Sequence, residues 1–403
     1  MNWSSSDAAG LHASGRESAF LLPSLPPQSR ILLIRLRSIG DIVLLTPALA
    51  MLKAWRPDLV VSVLIETHYR ELLEGNPDVD EVLEVDSTKG ANRLAGGGSA
   101  SLRLLRELRR RRFGLCLNLH GGPKSTWLTA LSGARWKAGF HHYRARPIYD
   151  VLVPDARLIL GHEGVHTAEL QAAALYFLGL PRAVIPRARI VVKLEFREWW
   201  QAKRASFGLE PGADYAVIQP AALYATKEWP AEKFAAIGRY LECERGLVPI
   251  YTCGPRESAT LDAVERAAGE RLRRLKGASL GQLAAVLGGA RVFVGNDSGP
   301  AHMAAALARP VVVIFGSSSS RIWGPWPRPA GAEGAAFGSQ LLPAAAARAA
   351  CVVQNFFDCN PCPGDRCYRF KRPECILSVG VDQVREAVDL VLAASRETPG
   401  NDR

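Results

Sequence analysis

The stretch Gly295-Asn296-Asp297-Ser298-Gly299-Pro300-Ala301-His302-Met303 gathers groups suited to holding an anion. It follows the apolar run Arg291–Val294 and precedes the run Ala304–Ala308. It therefore reads as the turn from a strand into a helix, with Asp297 and Ser298 at the N-cap. Unpaired N–H groups and the helix dipole draw negative charge to such a terminus. The small residues Gly295, Ser298 and Gly299 let a phosphate approach the backbone, so a nucleotide diphosphate is the group that would sit there. The same residues also describe an ordinary capped helix.

Four other turns of this kind carry chemistry. Arg35-Leu36-Arg37-Ser38-Ile39-Gly40-Asp41 follows the first strand, and Gly40 allows a tight turn that sets Asp41 at the mouth of the sheet. A carboxylate there serves either as a general base or as a helix cap. In Ala225–Pro230, Lys227 would meet phosphate charge and Thr226 would add a hydrogen bond, unless Lys227 is simply a surface lysine. Glu257, after Cys253-Gly254-Pro255-Arg256, would hold a sugar hydroxyl or cap the next helix. His120-Gly121-Gly122-Pro123-Lys124-Ser125 offers glycines and Lys124 to an anionic group.

These turns need a scaffold, and the apolar pattern supplies one. Strands are expected at Ile31–Leu36, Leu59–Ile65, Glu81–Val85, Leu115–Leu119 and Arg135–Phe140, with a helix over Asp41–Trp55 and further helical patterns between them. A second block begins after Pro181–Pro186. Its strands are Tyr215–Ile218, Val248–Thr252, Arg271–Lys276, Val292–Val294 and Val311–Phe315. Helix Ala231–Cys243 opens with Pro230 at its first position, and Val381–Ala394 closes the chain. Continuous β-branched runs alternating with helices indicate parallel strands covered on both faces. The fold class is therefore α/β, with two Rossmann-like domains whose parallel sheets face each other across a cleft. The expected division is a flexible leader over 1–29, a first domain over 30–190 and a second over 191–403. The segment Arg328–Ala350 reads as a mobile insertion.

Composition narrows the partners. The chain has 403 residues, 48% of them hydrophobic and 22% charged, which is globular and not disordered. No apolar run reaches the length of a membrane span. A net charge of +11 favours an anionic partner. No aromatic-basic interleaving or nucleic-acid motif is present, so nucleic acid is not expected as that partner. The charge is concentrated in Leu102–Phe113, where six arginines face only Glu107 and the leucines fall at helical spacing. This is an amphipathic helix that is either solvated or in contact with anionic lipid. Cys116, Cys243 and Cys253 read as buried small hydrophobes. Cys359, Cys362, Cys367 and Cys375 are open to zinc binding, a disulfide or plain loop structure. Asp78-Val79-Asp80 has metal-binding spacing but reads as a turn.

In order and spacing, Ser38–Leu49 (SIGDIVLLTPAL), Thr226–Pro230 (TKEWP) and Gly295–Leu307 (GNDSGPAHMAAAL) resemble glycosyltransferase family 9, the heptosyltransferases of the lipopolysaccharide inner core. Asn76–Val82, His120–Ser125 and Phe315–Trp326 add support, and the resemblance runs from Ile31 to Ala394. It implies a GT-B fold in which the first domain takes the acceptor and the second takes ADP-heptose. Asp41 then matches the catalytic base, and Lys227 the lysine that meets the donor phosphate. Thr226, Glu257, Asp297, Ser298, Gly299 and His302 fall on the donor side, though His302 also suits a packed structural role. Lys124, with Arg37, Ser38 and Gly40, falls on the acceptor side. The reaction implied is an inverting transfer of heptose from ADP-heptose to an anionic lipopolysaccharide precursor, without cofactor or metal, in the cytoplasm at the inner face of the inner membrane. The alternatives are another nucleotide sugar or acceptor, a nucleotide-sugar epimerase on the same fold, or a silent scaffold. The leader, the insertion and the cysteine cluster lie outside the family pattern.

Overall fold

The apolar runs form parallel strands in a computed structural model that describes residues 21–86, 99–326, 342–343 and 350–396. The chain divides into two units, Met1–Pro186 and Arg187–Arg403.

The first unit runs α1 (Leu21–Ser24), β1 (Arg30–Ile34), α2 (Ile39–Val43), α3 (Thr46–Trp55), β2 (Val60–Glu66), β3 (Glu81–Val85), α4 (Ser99–Arg110), β4 (Leu115–Asn118), α5 (Pro123–Leu131), β5 (Trp136–Phe140), β6 (Val151–Val153), α6 (Ala156–Leu160) and α7 (Thr167–Phe177). Its sheet has the order β3-β2-β1-β4-β5-β6, parallel throughout. Ile31 pairs with Val61 on one side and Leu115 on the other, and Ile31–Ile34 are all buried. Burial on both faces is why these strands read as unbroken apolar runs. The strand order reverses beside β1, and ligands bind such sheets beyond the carboxyl ends of the strands at that point. The loops carrying Arg35–Asp41 and His120–Lys124 leave the sheet there.

The helix expected over Asp41–Trp55 is two helices. Leu44 and Leu45 separate α2 from α3, whose first turn holds Pro47, a residue with no N–H to continue the earlier ladder. The stretch read as a leader contributes Leu21, Leu22 and Leu25 to the core. Leu22 N–H donates to Leu178 O at 2.9 Å, and Arg56 donates to the Leu22 and Leu25 carbonyls at 3.1 Å. Strand β6 leaves no mark in the sequence, because three residues carry too little pattern.

The second unit runs α8 (Leu194–Lys203), β7 (Tyr215–Gln219), α9 (Ala231–Arg245), β8 (Val248–Thr252), α10 (Ser258–Ala268), β9 (Arg274–Leu275), α11 (Leu280–Gly288), β10 (Val292–Asn296), α12 (Gly299–Ala306), β11 (Val311–Phe315), α13 (Ser320–Trp323), β12 (Leu342–Pro343), β13 (Ala350–Gln354), α14 (Glu374–Leu377) and α15 (Val381–Arg396). Its sheet has the order β12-β13-β11-β10-β7-β8-β9, parallel except for β12 against β13. Its central strands β7, β10 and β11 are buried along their whole length.

Several local expectations are corrected here. Pro230 is the N-cap of α9, not its first helical residue, and Gly246 ends that helix at φ 65°. The strand expected at Arg271–Lys276 shrinks to Arg274–Leu275, because Leu272 N–H and the Arg274 guanidinium are both taken by Glu265. Cys243 is exposed, and Cys253 only partly buried. The insertion Arg328–Ala350 lies outside the described residues except for Leu342–Pro343 and Ala350. No helix among the described residues is long and apolar enough to cross a membrane.

Candidate functional site

Each unit carries its own cluster at the carboxyl ends of its central strands. In the first, Asp41 sits in the opening turn of α2. Its Oδ2 accepts from the backbone N–H of Ser38 at 3.2 Å and from the Ser38 hydroxyl at 3.1 Å, and its Oδ1 accepts from Arg35. Asp41 is thus a capping partner, but a charged one held against a guanidinium. Arg35 also donates to Leu119 O, which fixes the carboxylate between the β1 and β4 loops. Gly40 is buried, whereas Arg37 and Ser38 are exposed.

The β4 loop is shaped by Asn118. Its side-chain oxygen accepts from His120 N–H at 2.9 Å and Gly121 N–H at 3.1 Å, while its amide donates to Tyr149 Oη at 2.9 Å. Gly121 has φ +74°, and a Cβ there would come within 2.2 Å of the Tyr143 ring. Only glycine meets both constraints. His120 stays neutral. Burial, with the charges of Arg35 and Arg37, pushes its imidazole down to about 4. Lys124, in the first turn of α5, donates to Asp86 O at 3.0 Å and lies 3.5 Å from Glu66 Oε1. Tyr69 joins the cluster, its phenol raised by burial and by the carboxylates of Glu66 and Asp41. The first unit therefore brings Arg37, Ser38, Gly40, Asp41 and Lys124 to one end of one sheet.

In the second unit, Lys227 Nζ lies 2.7 Å from Asp297 Oδ2, with side-chain exposures of 22% and 7%. Asp297 is not a cap. Ser298 is the N-cap residue of α12, in extended conformation, and its side chain does not close the cap. Of the N–H groups in that first turn, Pro300 has none and Ala301 donates to Ser298 O at 3.2 Å, which leaves that of Gly299 for an anion. Asn296, at the end of β10, accepts from Trp229 N–H at 3.1 Å and donates to Pro220 O at 2.7 Å. It ties the Lys227 loop to the Asp297 loop, a role the sequence reading missed. Gly295 serves packing in place of phosphate approach, since a Cβ would lie 2.9 Å from Gln219 O and 2.8 Å from the Phe293 ring. His302 is buried in α12.

Glu257 precedes α10 and turns back to accept from Gly254 N–H at 2.7 Å. Glu228 accepts from Ala222 N–H at 3.2 Å, and burial, with Glu257 nearby, raises its carboxyl above the usual range. Two carboxylates thus flank the Lys227 loop. Thr226 is buried and its hydroxyl donates to Gly364 O. The loop that carries Gly364 also supplies Cys359, Cys362 and Cys367. With Cys375 these line a cavity of about 200 Å³ shared with Thr226 and Ser317. Burial, with the three other thiols nearby, pushes Cys375 up to about 11. No cysteine is in a disulfide, and among the described residues no three His, Cys, Asp or Glu side chains are placed to hold a metal ion. Asp80 of the Asp-Val-Asp turn is engaged by Lys53 Nζ and by Val61 N–H. A cavity of about 580 Å³ around Glu242, Tyr251 and Arg273 contains none of the candidate residues.

Chemically, the first cluster offers an oriented carboxylate beside neutral imidazole and cationic side chains. The second offers an ammonium, a helix N-terminus and polar side chains, a set that receives a diphosphate.

The family model described as glycosyltransferase family 9 (heptosyltransferase) matches residues 101–349, more than half of the chain. Lipopolysaccharide heptosyltransferase 3 of Escherichia coli is 28% identical over 298 residues, covering 71% of this chain and 83% of that protein. Among solved structures, a glycosyltransferase family 9 protein from Veillonella parvula superposes with a TM-score of 0.75 at 22% identity, covering 92% of this chain and 98% of that one. The E. coli heptosyltransferase WaaC with ADP-2-deoxy-2-fluoro heptose gives a TM-score of 0.60 at 19% identity, covering 89% and 99%.

Proposed function

The chain belongs to glycosyltransferase family 9, and from that membership we propose that it transfers heptose from ADP-heptose to an inner-core lipopolysaccharide precursor, with inversion at the anomeric carbon. The donor assignment draws on the WaaC structure that carries an ADP-heptose analogue, and the acceptor class on the lipopolysaccharide heptosyltransferases this chain resembles. The second unit takes the donor and the first takes the acceptor.

Asp41 accepts the proton of the acceptor hydroxyl as that oxygen forms a bond to the anomeric carbon. The bond from that carbon to the diphosphate oxygen breaks, and ADP leaves with the bonding pair. Arg35 and Ser38 hold the Asp41 carboxylate in place through their hydrogen bonds. Lys227 and the first turn of α12 stabilise the negative charge that gathers on the departing diphosphate. Thr226, Ser298, Gly299 and His302 shape the donor pocket, Asp297 orients Lys227, and Glu257 takes a ribose or sugar hydroxyl. Lys124 and Arg37 meet the anionic acceptor.

The observation that carries this reading is the Lys227–Asp297 pair at the N-terminus of α12, which places a cation where a diphosphate is best received. The test is Asp41→Asn. Loss of a general base lowers turnover by about 10²–10⁴-fold. ADP affinity, measured by calorimetry, stays at the wild-type value because the donor groups are untouched. A variant that turns over at the wild-type rate would reduce Asp41 to a helix cap.

A further inference from the structure

The arginine-rich helix and its neighbour form a surface that the chemistry above does not use. Helices α4 and α5 join β3 to β4 and β4 to β5, so right-handed crossovers place both on the same face of the first sheet. Arg109 Nε donates to Leu131 O at 3.2 Å and fixes the two helices side by side. Arg103, Arg106 and Arg110 fall at spacings of three and four, on the outer side of α4, and Arg112 continues the run past its end. All four are exposed, and none has an ion pair among the described residues. The acids nearby are spent elsewhere: Glu81 and Glu107 both bind Arg111. Beside these charges lie two large apolar side chains, Leu102 at 46% exposure and Trp127 of α5 at 60%.

Resting on the lipid-linked acceptor proposed above, we infer that this face docks the enzyme on an anionic bilayer, with Arg103, Arg106, Arg110 and Arg112 on lipid phosphates and Leu102 and Trp127 in the interface. Unpaired arginines beside an exposed indole and leucine on a helical ridge match an interfacial surface. A nucleic acid would instead be met by a basic groove with several stacking aromatics, and this ridge carries one. Lys124 lies at the N-terminal end of α5, so the docked face runs up to the acceptor cluster. Docking would keep a membrane-anchored acceptor within reach of Asp41.

The test is sedimentation of the full chain with phosphatidylglycerol-containing vesicles, against pure phosphatidylcholine vesicles, with no substrate present. Each basic side chain near such a surface contributes about fivefold, so R103E/R106E/R110E lowers partition by about a hundredfold or more. That loss disappears in high salt. Trp127→Ser gives a smaller loss that persists in high salt, because it removes apolar insertion. Both variants keep wild-type transfer to a water-soluble truncated acceptor and lose it only for acceptor embedded in vesicles. Wild-type protein that ignores anionic vesicles, or binds plain RNA in preference to them, would overturn the docking face even if transfer is observed. Salt-sensitive vesicle binding without transfer to any acceptor would leave docking intact and refute the proposed reaction.

Discussion

Removing the Lys227 ammonium tests fold and chemistry together. Lys227→Met keeps most of the side chain's length and deletes its charge. Asp297, 7% exposed, is then left without its cation. Breaking a fully buried ion pair costs about 3–5 kcal/mol. Lys227 is 22% exposed, so water replaces part of its contribution and the expected loss falls to about 1–3 kcal/mol. The double variant Lys227→Met, Asp297→Asn removes the orphaned charge as well and regains most of that stability. Transfer follows a different pattern. A charge-assisted hydrogen bond to the diphosphate is worth about 1.5–3 kcal/mol, so kcat/KM falls about 10–150-fold, and the double variant does not recover it. Urea unfolding and steady-state kinetics on the four proteins of the cycle read both effects. Single variants whose stabilities simply add, with kcat/KM within threefold of wild type, would refute both the pairing and the diphosphate contact.

Three further outcomes follow from the geometry. Gly121→Ala forces a left-handed backbone on alanine and drives its Cβ into the Tyr143 ring, so the first unit loses about 2–4 kcal/mol while ADP binding by the second is unchanged; an unaltered melting curve would contradict this. Gly238→Ala places a Cβ 1.8 Å from Tyr251 Oη, costing about 1–3 kcal/mol, and adding Tyr251→Phe restores part of it; equal stability of the single and double variants would show that the hydroxyl is not the obstacle. His120, held neutral down to about 4 against an ordinary value of 6.5, takes up a proton more readily in the unfolded chain. Its contribution is whole above pH 6.5 and is lost as pH falls towards 4, by about 1–2 kcal/mol for a partly exposed ring. His120→Gln should flatten that part of the stability profile, and an unchanged slope would assign it to another group.

Much of this was legible in the sequence because buried parallel strands and their exit turns leave strong local marks. Val311–Phe315 and Glu81–Val85 read as strands at their true limits. Lys227 and Asp297 are each legible in their own turn, but nothing in their spacing of 70 residues shows that they form one pair. The same holds for Arg35, which sits in the exit turn of the first strand and whose role depends on Asp41 and on a carbonyl 84 residues away. Asn118 and Asn296 end their strands and organise the loops beyond, and an asparagine after an apolar run was the available signal. Gly295 misled because a glycine before a phosphate turn and a glycine under a neighbouring carbonyl look alike in one dimension. The strand Ala350–Gln354 escaped because it follows an Ala-rich stretch without periodicity.

Heptose transfer is read directly by mass spectrometry of a truncated lipid A–Kdo acceptor incubated with the enzyme and ADP-heptose. The expected result is an acceptor heavier by one heptose residue, formed with an equal amount of ADP and absent with Asp41→Asn. An acceptor returned unmodified by an enzyme that also fails to bind ADP-heptose would contradict it.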